Sequence, residues 1–282
     1  MSINSKNIVV LYHADCPDGF GAAYVAWKKF ADRAEYIPMF HHAPVPEMSG
    51  KELYLLDISY DAQTLKQLSD TNTVMVIDHH VSREQETKSV KHLYATDNSG
   101  TGLAWQHFFQ SEPLPEILKY IEEEDIWKFK SPNIKEILMV FHLIPHDFKV
   151  WDVEIKRFEE QPEVKQQYIV EGAAMLRYKE WLIKRIMKNI NPIEFEGYKT
   201  FAVNSSVFAS EIGHIISAEL APPIGVVWAH RGGRIAVSLR SDGSVNVGDL
   251  AAKYGGGGHT AAAAFTLPLD GTLPWKYQKD SQ

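Results

Sequence analysis

The chain has 282 residues, of which 45% are hydrophobic and 23% are charged, a composition that excludes a disordered or collagen-like protein. The formal net charge of −7 argues against a surface that coats long nucleic acid. Cys16 is the single cysteine, so no intramolecular disulfide can form. No apolar run approaches the length of a membrane span. We therefore expect a cytoplasmic protein with no membrane partner.

The first half of the chain alternates apolar strands with helices. Three β-branched runs, at residues 8–13, 53–57 and 73–78, have the continuous apolar character of buried parallel strands. Helical patterns follow at 22–30, 61–69 and 115–128. In sheets of this kind ligands bind at the carboxyl ends of the strands.

The second half begins with a long connector. A charged amphipathic helix is predicted at about 163–190, ending before Asn191-Pro192. Strands are predicted at 199–203, 225–229 and 234–239, and helices at 210–220, 247–254 and in the Ala-rich segment 261–264. The fold class is therefore α/β. We expect a parallel-sheet domain at 1–190, which includes the helical connector, and a smaller α/β domain at 191–282.

Acids and imidazoles follow each of the three N-terminal strands. These residues are His13, Asp15 and Asp18 after the first strand, Asp57 after the second, and Asp78, His79 and His80 after the third. One Asp after a strand is usually a helix cap or a turn residue. Several carboxylates at one sheet edge repel one another unless they are neutralised. Asp oxygens with His nitrogens suit a divalent cation such as Mn²⁺.

The helix at 115–128 supplies one more acid. At 100° per residue, Asp125 lies within the apolar stripe formed by Ile117 and Ile121, whereas Glu122 and Glu123 point outward. A buried carboxylate requires a partner. We therefore expect Asp125 to be buried and to join the same metal site.

Together these residues resemble the four motifs of the DHH phosphoesterase superfamily. The motifs are His13-Ala14-Asp15-Cys16-Pro17-Asp18-Gly19, the isolated Asp57, Asp78-His79-His80 and Asp125. The tract Arg240-Ser241-Asp242-Gly243 with Gly255-Gly256-Gly257-Gly258-His259 is similar to the DHHA1 domain of the nanoRNase and exopolyphosphatase-like branch. The resemblance spans nearly the whole chain and implies a DHH domain followed by a DHHA1 domain.

The resemblance also implies roles for individual residues. Two Mn²⁺ ions, with Mg²⁺ or Co²⁺ as substitutes, would be bound by His13, Asp15, Asp18, Asp57, His79 and Asp125. His80 would contact the scissile phosphate or protonate the leaving oxygen, and Asp78 would orient a histidine. The substrate's terminal phosphate or backbone would be bound by Arg240, Gly257, Gly258 and His259.

Two residues beside these motifs have open roles. Ser99 lies in the Gly-rich segment that begins a predicted helix, and it either contacts a substrate phosphate or caps the helix. Cys16 is either an oxidisable thiol beside the metal or a small packing residue, and packing is the favoured interpretation. The pair His41-His42 is assigned to the surface, outside the site.

The implied function is a manganese-dependent phosphodiesterase that hydrolyses short oligonucleotides by two-metal activation of a bridging water. Polyphosphate and linear or cyclic dinucleotides are alternative substrates within the family. Long duplex DNA is disfavoured because the chain is acidic. A non-catalytic nucleotide-binding module is less favoured, since the acid set and His80 are intact. A nicotinamide-dependent oxidoreductase is disfavoured, because the sequence lacks the Gly-x-Gly-x-x-Gly motif of such enzymes. The sequence is compatible with a homodimer but does not determine the oligomeric state.

Overall fold

A computed structural model describes residues 6–14, 16–40, 43–220 and 222–278. The chain divides into two compact units, Met1–Leu176 and Arg177–Gln282. This division falls inside the long helix that the sequence analysis assigns as a connector to the first domain. The predicted domain boundary after residue 190 stays a prediction.

A five-stranded parallel sheet forms the centre of the first unit, as the apolar runs predict. Its strand order is β2-β1-β3-β4-β5. The strands are β1 Ile8–His13, β2 Ala34–Met39, β3 Glu52–Leu56, β4 Thr73–Asp78 and β5 His92–Tyr94. The edge strands β2 and β5 were not predicted, because β2 carries Glu35 and Pro38 within its apolar run and β5 has only three residues.

The helices of the first unit are α1 Pro17–Phe30, α2 Ala62–Thr71, α3 Glu84–Lys88, α4 Gly100–Phe108, α5 Glu116–Asp125, α6 Ile134–Phe141 and α7 Phe148–Glu160. Helix α8, Pro162–Ile186, continues from the first unit into the second. Helix α1 begins five residues before the predicted start, because Pro17 suits the first helical position and Cys16 caps it. None of the helices within the described ranges is both long and apolar enough to cross a membrane.

Alternate residues of the strands pack on opposite faces of the sheet. Val10 and Tyr12 of β1 pack in the apolar cluster that α1, α4 and α5 cover. Val9 and Leu11 pack in a second cluster, with Leu65 of α2. Both faces are therefore buried, as a parallel sheet requires, and solvent reaches its central strands only at their ends.

The second unit contains a seven-stranded mixed sheet in the order β10-β11-β9-β8-β7-β6-β12, in which β7 and β8 are the one parallel pair. Its strands are β6 Asn191–Phe195, β7 Tyr198–Asn204, β8 Ile224–Arg231, β9 Arg234–Ser241, β10 Gly257–Gly258, β11 Ala262–Pro268 and β12 Trp275–Tyr277. Its helices are α9 Ala209–His214, which a π-helical turn extends at Ile215–Glu219, and α10 Val247–Ala252.

The prediction of a helix in the Ala-rich segment 261–264 is wrong. This segment begins β11, where Ala263 pairs with Leu239 of β9 on one side and with Gly258 of β10 on the other. Gly258 has φ +144°, and a Cβ there would lie 2.6 Å from the Cα of Ala263. The small alanine side chains serve close strand packing, and this tertiary requirement overrides their helix propensity.

The contact between α1 and α4 predicts the effect of one substitution on stability. A Cβ at Gly21 would overlap the Thr101 hydroxyl, which is buried and donates to the Asp18 carbonyl. We expect Gly21→Ala to lower the free energy of unfolding by about 1–3 kcal/mol, although alanine is the better helix former. Denaturant unfolding measures this change.

The control for this prediction is Gln67→Ala at an exposed position of α2. It should change the stability by less than about 0.5 kcal/mol. An increase in the stability of Gly21→Ala would contradict the close packing of the two helices.

Candidate metal centre

The acids and imidazoles meet at the carboxyl edge of the first sheet. His13 is the last residue of β1, Asp57 directly follows β3, and Asp78 is the last residue of β4. Because β3 lies between β1 and β4, these three strand ends are adjacent. Asp57 has φ +55°, a left-handed conformation that is uncommon for a residue with a side chain and is typical of functional sites.

Asp57 is the central residue of this group. Its side chain is only 2% exposed, and its two carboxylate oxygens face different imidazoles. His13 Nδ1 lies 3.3 Å from Oδ2, whereas His79 Nε2 lies 3.2 Å from Oδ1. Although burial raises the pKa of Asp57, His13, His79 and His80 hold it well below its usual range. The carboxylate is therefore ionised at neutral pH.

His79 connects Asp57 with two further acids. Its Nε2 lies 3.4 Å from Oδ2 of Asp125 and 3.9 Å from Oδ2 of Asp18. Burial lowers the pKa of His79, but Asp57, Asp125 and Asp18 outweigh this effect and raise the pKa to about 10. Without a metal ion, protonated His79 thus supplies positive charge beside these three acids.

Asp18 is held where two helices begin. It lies in the first turn of α1, and its carboxylate accepts the backbone N–H groups of Gly100 and Thr101 at 2.7 and 2.9 Å. Gly100 permits this approach, since a Cβ there would lie 2.6 Å from the Cβ of Asp57. Burial and the Asp57 charge raise the pKa of Asp18 to about 6. A divalent cation would favour the ionised form.

Asp78 positions His80. The Asp78 carboxylate is fully buried, and its Oδ1 accepts the backbone N–H of His79 at 2.8 Å and the His80 ring Nδ1–H at 2.7 Å. The His80 side chain is 26% exposed. Burial lowers the pKa of His80, but Asp78 raises it to about 9. His80 is therefore protonated at neutral pH, with its ring orientation set by Asp78.

Cys16 belongs to this group of side chains, whereas a packing role was the favoured interpretation of the sequence. Its Sγ lies 3.2 Å from His13 Nδ1 and 3.4 Å from Asp57 Oδ2, and it accepts the backbone N–H of Gly19 at 3.2 Å. Burial and the charges of Asp57 and Asp18 raise the pKa of the thiol. The sequence signal was its place three residues after His13, directly before the proline that begins α1.

The predicted orientation of the acids on α5 is wrong. Asp125 is the last residue of α5, and 29% of its side chain is exposed. Glu123, expected to point outward, is buried and accepts the backbone N–H groups of Lys130 and Ser131. The turn after α5 folds back over Glu123, a long-range contact that helical periodicity cannot represent. Asp125 nevertheless reaches His79.

Glu122 also does not point outward. It is half-buried and accepts the backbone N–H of Ser99 at 3.1 Å. The Ser99 hydroxyl is buried and accepts the backbone N–H of Gly102, so Ser99 caps α4. This is one of the two roles that the sequence analysis left open, and its contact with a phosphate stays a prediction.

Three of the predicted residues lie outside the described ranges. They are the metal-ligand candidate Asp15 and the histidine pair His41 and His42. The remaining N-terminal candidates all lie at the sheet edge, within reach of Asp57 or His79.

The substrate-binding candidates of the second unit lie at one end of β9 and β11. Arg240 pairs with Ala262, and the His259 backbone N–H donates to the Ala262 carbonyl at 2.7 Å. The Arg240 guanidinium donates to Ser210 Oγ at 2.6 Å and is half-buried. Gly257 and Gly258 form β10 beside β11.

The donor atoms fit divalent cations. Three sets within the first unit each bring their ligand atoms within 4.8 Å of one another: His13, Cys16 and Asp57; Asp18, His79 and Asp125; Asp57, Asp78 and His80. The carboxylates of Asp18 and Asp57 in these sets are buried, so they require positive charge or hydrogen-bond donors, and a divalent cation would supply that charge.

Comparisons with known proteins agree with this architecture. A family model described as the DHHA1 domain matches residues 198–274. An uncharacterized protein of Acanthamoeba polyphaga mimivirus is 28% identical over 303 residues, which cover 96% of this chain and 70% of that protein.

Two solved structures share the fold. One, a DHH domain from a member of a ribosomal protein family, has a TM-score of 0.57 and 13% identity, covering 96% of this chain and 83% of that one. The other, an exopolyphosphatase-related protein from Bacteroides fragilis, has a TM-score of 0.51 and 14% identity, covering 95% and 88%. The match at residues 198–274 identifies a DHHA1 domain there, and the chain as a whole is similar in fold to these two structures.

Proposed function

We propose that this protein is a manganese-dependent phosphodiesterase that hydrolyses short oligonucleotides. The observation that carries the proposal is the convergence of Asp18, Asp57 and Asp125 on His79, with Asp18 and Asp57 buried. A phosphoryl-transfer site needs this excess of carboxylates to hold cations against an anionic substrate. The net charge of −7 counts against long nucleic acid as the substrate.

The cations would be held by the candidates at the sheet edge: His13, Asp15, Asp18, Asp57, His79 and Asp125. When bound, they neutralise charge on the phosphoryl oxygens and lower the pKa of an attacking water. In this proposal Asp57 faces both positions, because its two oxygens point to different imidazoles.

His80 is the proposed general acid. Asp78 raises the pKa of the His80 imidazole, which favours the protonated ring, and its partial exposure lets a substrate approach. The hydrogen bond from Nδ1 to Asp78 directs the opposite ring nitrogen, Nε2, away from Asp78. A proton held at Nε2 can pass to the leaving oxygen as the phosphoester bond breaks.

The second unit is the proposed substrate-binding domain. Arg240, Gly257, Gly258 and His259 would bind the terminal phosphate or backbone of the substrate. Arg240 supplies a fixed positive charge, since Ser210 and the Leu239 carbonyl orient its guanidinium. The alternative substrates are polyphosphate and linear or cyclic dinucleotides, for which the likeness to an exopolyphosphatase-related protein is the support.

Removal and replacement of metal tests the activity. Protein stripped with a chelator should be inactive, and Mn²⁺ should restore hydrolysis of di- and trinucleotides, because the carboxylates need cations to bind a phosphate. The same assay offers polyphosphate, cyclic dinucleotides and long single strands. Hydrolysis of polyphosphate alone would favour the alternative. No hydrolysis of any of these would refute the phosphoesterase.

Asp57→Asn tests the centre of the site. The amide retains the shape of the side chain but removes the charge that His13 and His79 face, so we expect loss of bound metal and a decrease in kcat/KM of more than about a hundredfold. Metal content is measured by elemental analysis and folding by circular dichroism. The matched control is Asp70→Asn, at an exposed residue that pairs with Lys66, where metal and activity should be unchanged. Normal activity in Asp57→Asn would overturn the assignment.

Asp78→Asn separates positioning from metal binding. Asp78 holds His80 and the backbone N–H of His79, so we expect this variant to retain its metal while kcat falls about tenfold to hundredfold. The pKa of His80 should also decrease, because the carboxylate that stabilises the imidazolium is gone. The pH dependence of kcat measures this shift. An unchanged kcat and pH profile would rule out the proposed role.

A further inference from the structure

Cys16 lies in a set of three different donor atoms from three different segments of the chain. His13 ends β1, Cys16 is the N-cap of α1, and Asp57 follows β3. The resemblance to the superfamily implies metal-binding roles for His13 and Asp57 but none for the thiol between them. Nitrogen, sulfur and oxygen donors that converge on one point are typical of a cation site of borderline softness.

The separations of the three atoms match those of ligands on one cation. Bonds of about 2.1 Å to nitrogen or oxygen and about 2.3 Å to sulfur put neighbouring ligands roughly 3.0–3.6 Å apart, for bond angles between 90° and tetrahedral. The observed separations are 3.2 Å for His13 Nδ1 to Cys16 Sγ, 3.4 Å for Cys16 Sγ to Asp57 Oδ2, and 3.3 Å for His13 Nδ1 to Asp57 Oδ2.

Asp57 is shared between two sets of donor atoms. Its side chain is only 2% exposed; Oδ2 faces His13 and Cys16, and Oδ1 lies 3.2 Å from His79 Nε2. A buried carboxylate needs positive charge or hydrogen-bond donors beside its oxygens. A cation held by Oδ2 would supply positive charge on the Cys16 side, while Oδ1 faces the second ligand set around His79.

We propose that Cys16 is a metal ligand, which with His13 and Asp57 forms a nitrogen, sulfur and oxygen site for Zn²⁺, Co²⁺ or Fe²⁺ in preference to Mn²⁺. This inference rests on the proposed metal dependence and narrows it: the position at His13, Cys16 and Asp57 would prefer these ions, whereas the position around His79 would take Mn²⁺. A thiolate binds these ions more strongly than it binds the harder Mn²⁺. A cation bound by the sulfur displaces the thiol proton.

The competing explanation is a helix cap. Sγ accepts the backbone N–H of Gly19, so Cys16 would satisfy one amide of α1 without any metal. Cys16→Ser separates the two explanations, because a serine hydroxyl caps a helix at least as well as a thiol does but cannot act as a soft sulfur ligand. Circular dichroism and denaturant unfolding establish that the variant is folded.

The test is the absorption spectrum of the full-length protein loaded with Co²⁺. A thiolate bound to Co²⁺ produces a sulfur-to-metal charge-transfer band in the near ultraviolet, and Cys16 is the only cysteine of the chain. We expect this band in the native protein and its absence in Cys16→Ser that still binds Co²⁺ at the second set. Co²⁺ bound without the band would overturn the proposal.

Metal affinities supply the second measurement. We expect Cys16→Ser to weaken the tighter Co²⁺ or Zn²⁺ site at least about tenfold, while Mn²⁺ affinity changes much less. An equal loss for all metals would indicate a structural role and contradict the proposal. Activity remains a separate readout: hydrolysis without the band refutes only the cysteine ligand, and the band without hydrolysis of any phosphoester refutes only the proposed function.

Discussion

The candidate site of the first unit depends on the burial of carboxylates at the open edge of its sheet. Asp18, Asp57 and Asp78 are each at most 3% exposed, and like charges at such proximity disfavour one another's ionisation. The protein compensates with the imidazoles of His79 and His80 and with backbone amides. Because several acids share these few donors, added positive charge would stabilise their ionised forms, which makes the edge suitable for cations.

The fold places each compensating group where a chain segment changes direction. Asp57 turns in a left-handed conformation directly after β3, which directs its carboxylate between the ends of β1 and β4. The N-terminus of α4 supplies two amides to Asp18, and the positive end of a helix favours a negative charge there. The absence of a side chain at Gly100 and Gly21 lets α1 and α4 approach closely enough for these contacts. The close packing of α1 and α4 is thus also what places the backbone amides of α4 beside Asp18.

Much of this arrangement could be predicted from residue patterns. The apolar runs indicated the three central strands, and because parallel strands end at one edge, their terminal residues His13, Asp57 and Asp78 were expected together. The prediction was wrong where a long-range contact overrides a local rule. The Ala-rich segment forms β11 because β9 and the glycines of β10 need small neighbours. Glu123 is buried because the turn after α5 folds back on it.

By itself the amino-acid sequence determined the two-part α/β organisation and the identity of the acids and imidazoles, since both follow from short-range periodicity and from the direction of parallel strands. The tertiary structure decided which donor atoms face each other. It brought Cys16 to His13 and Asp57, committed Ser99 to capping α4, and set Asp78 behind His80. Such pairings depend on rotamers and on separations of a few tenths of an ångström, which only the packed chain fixes.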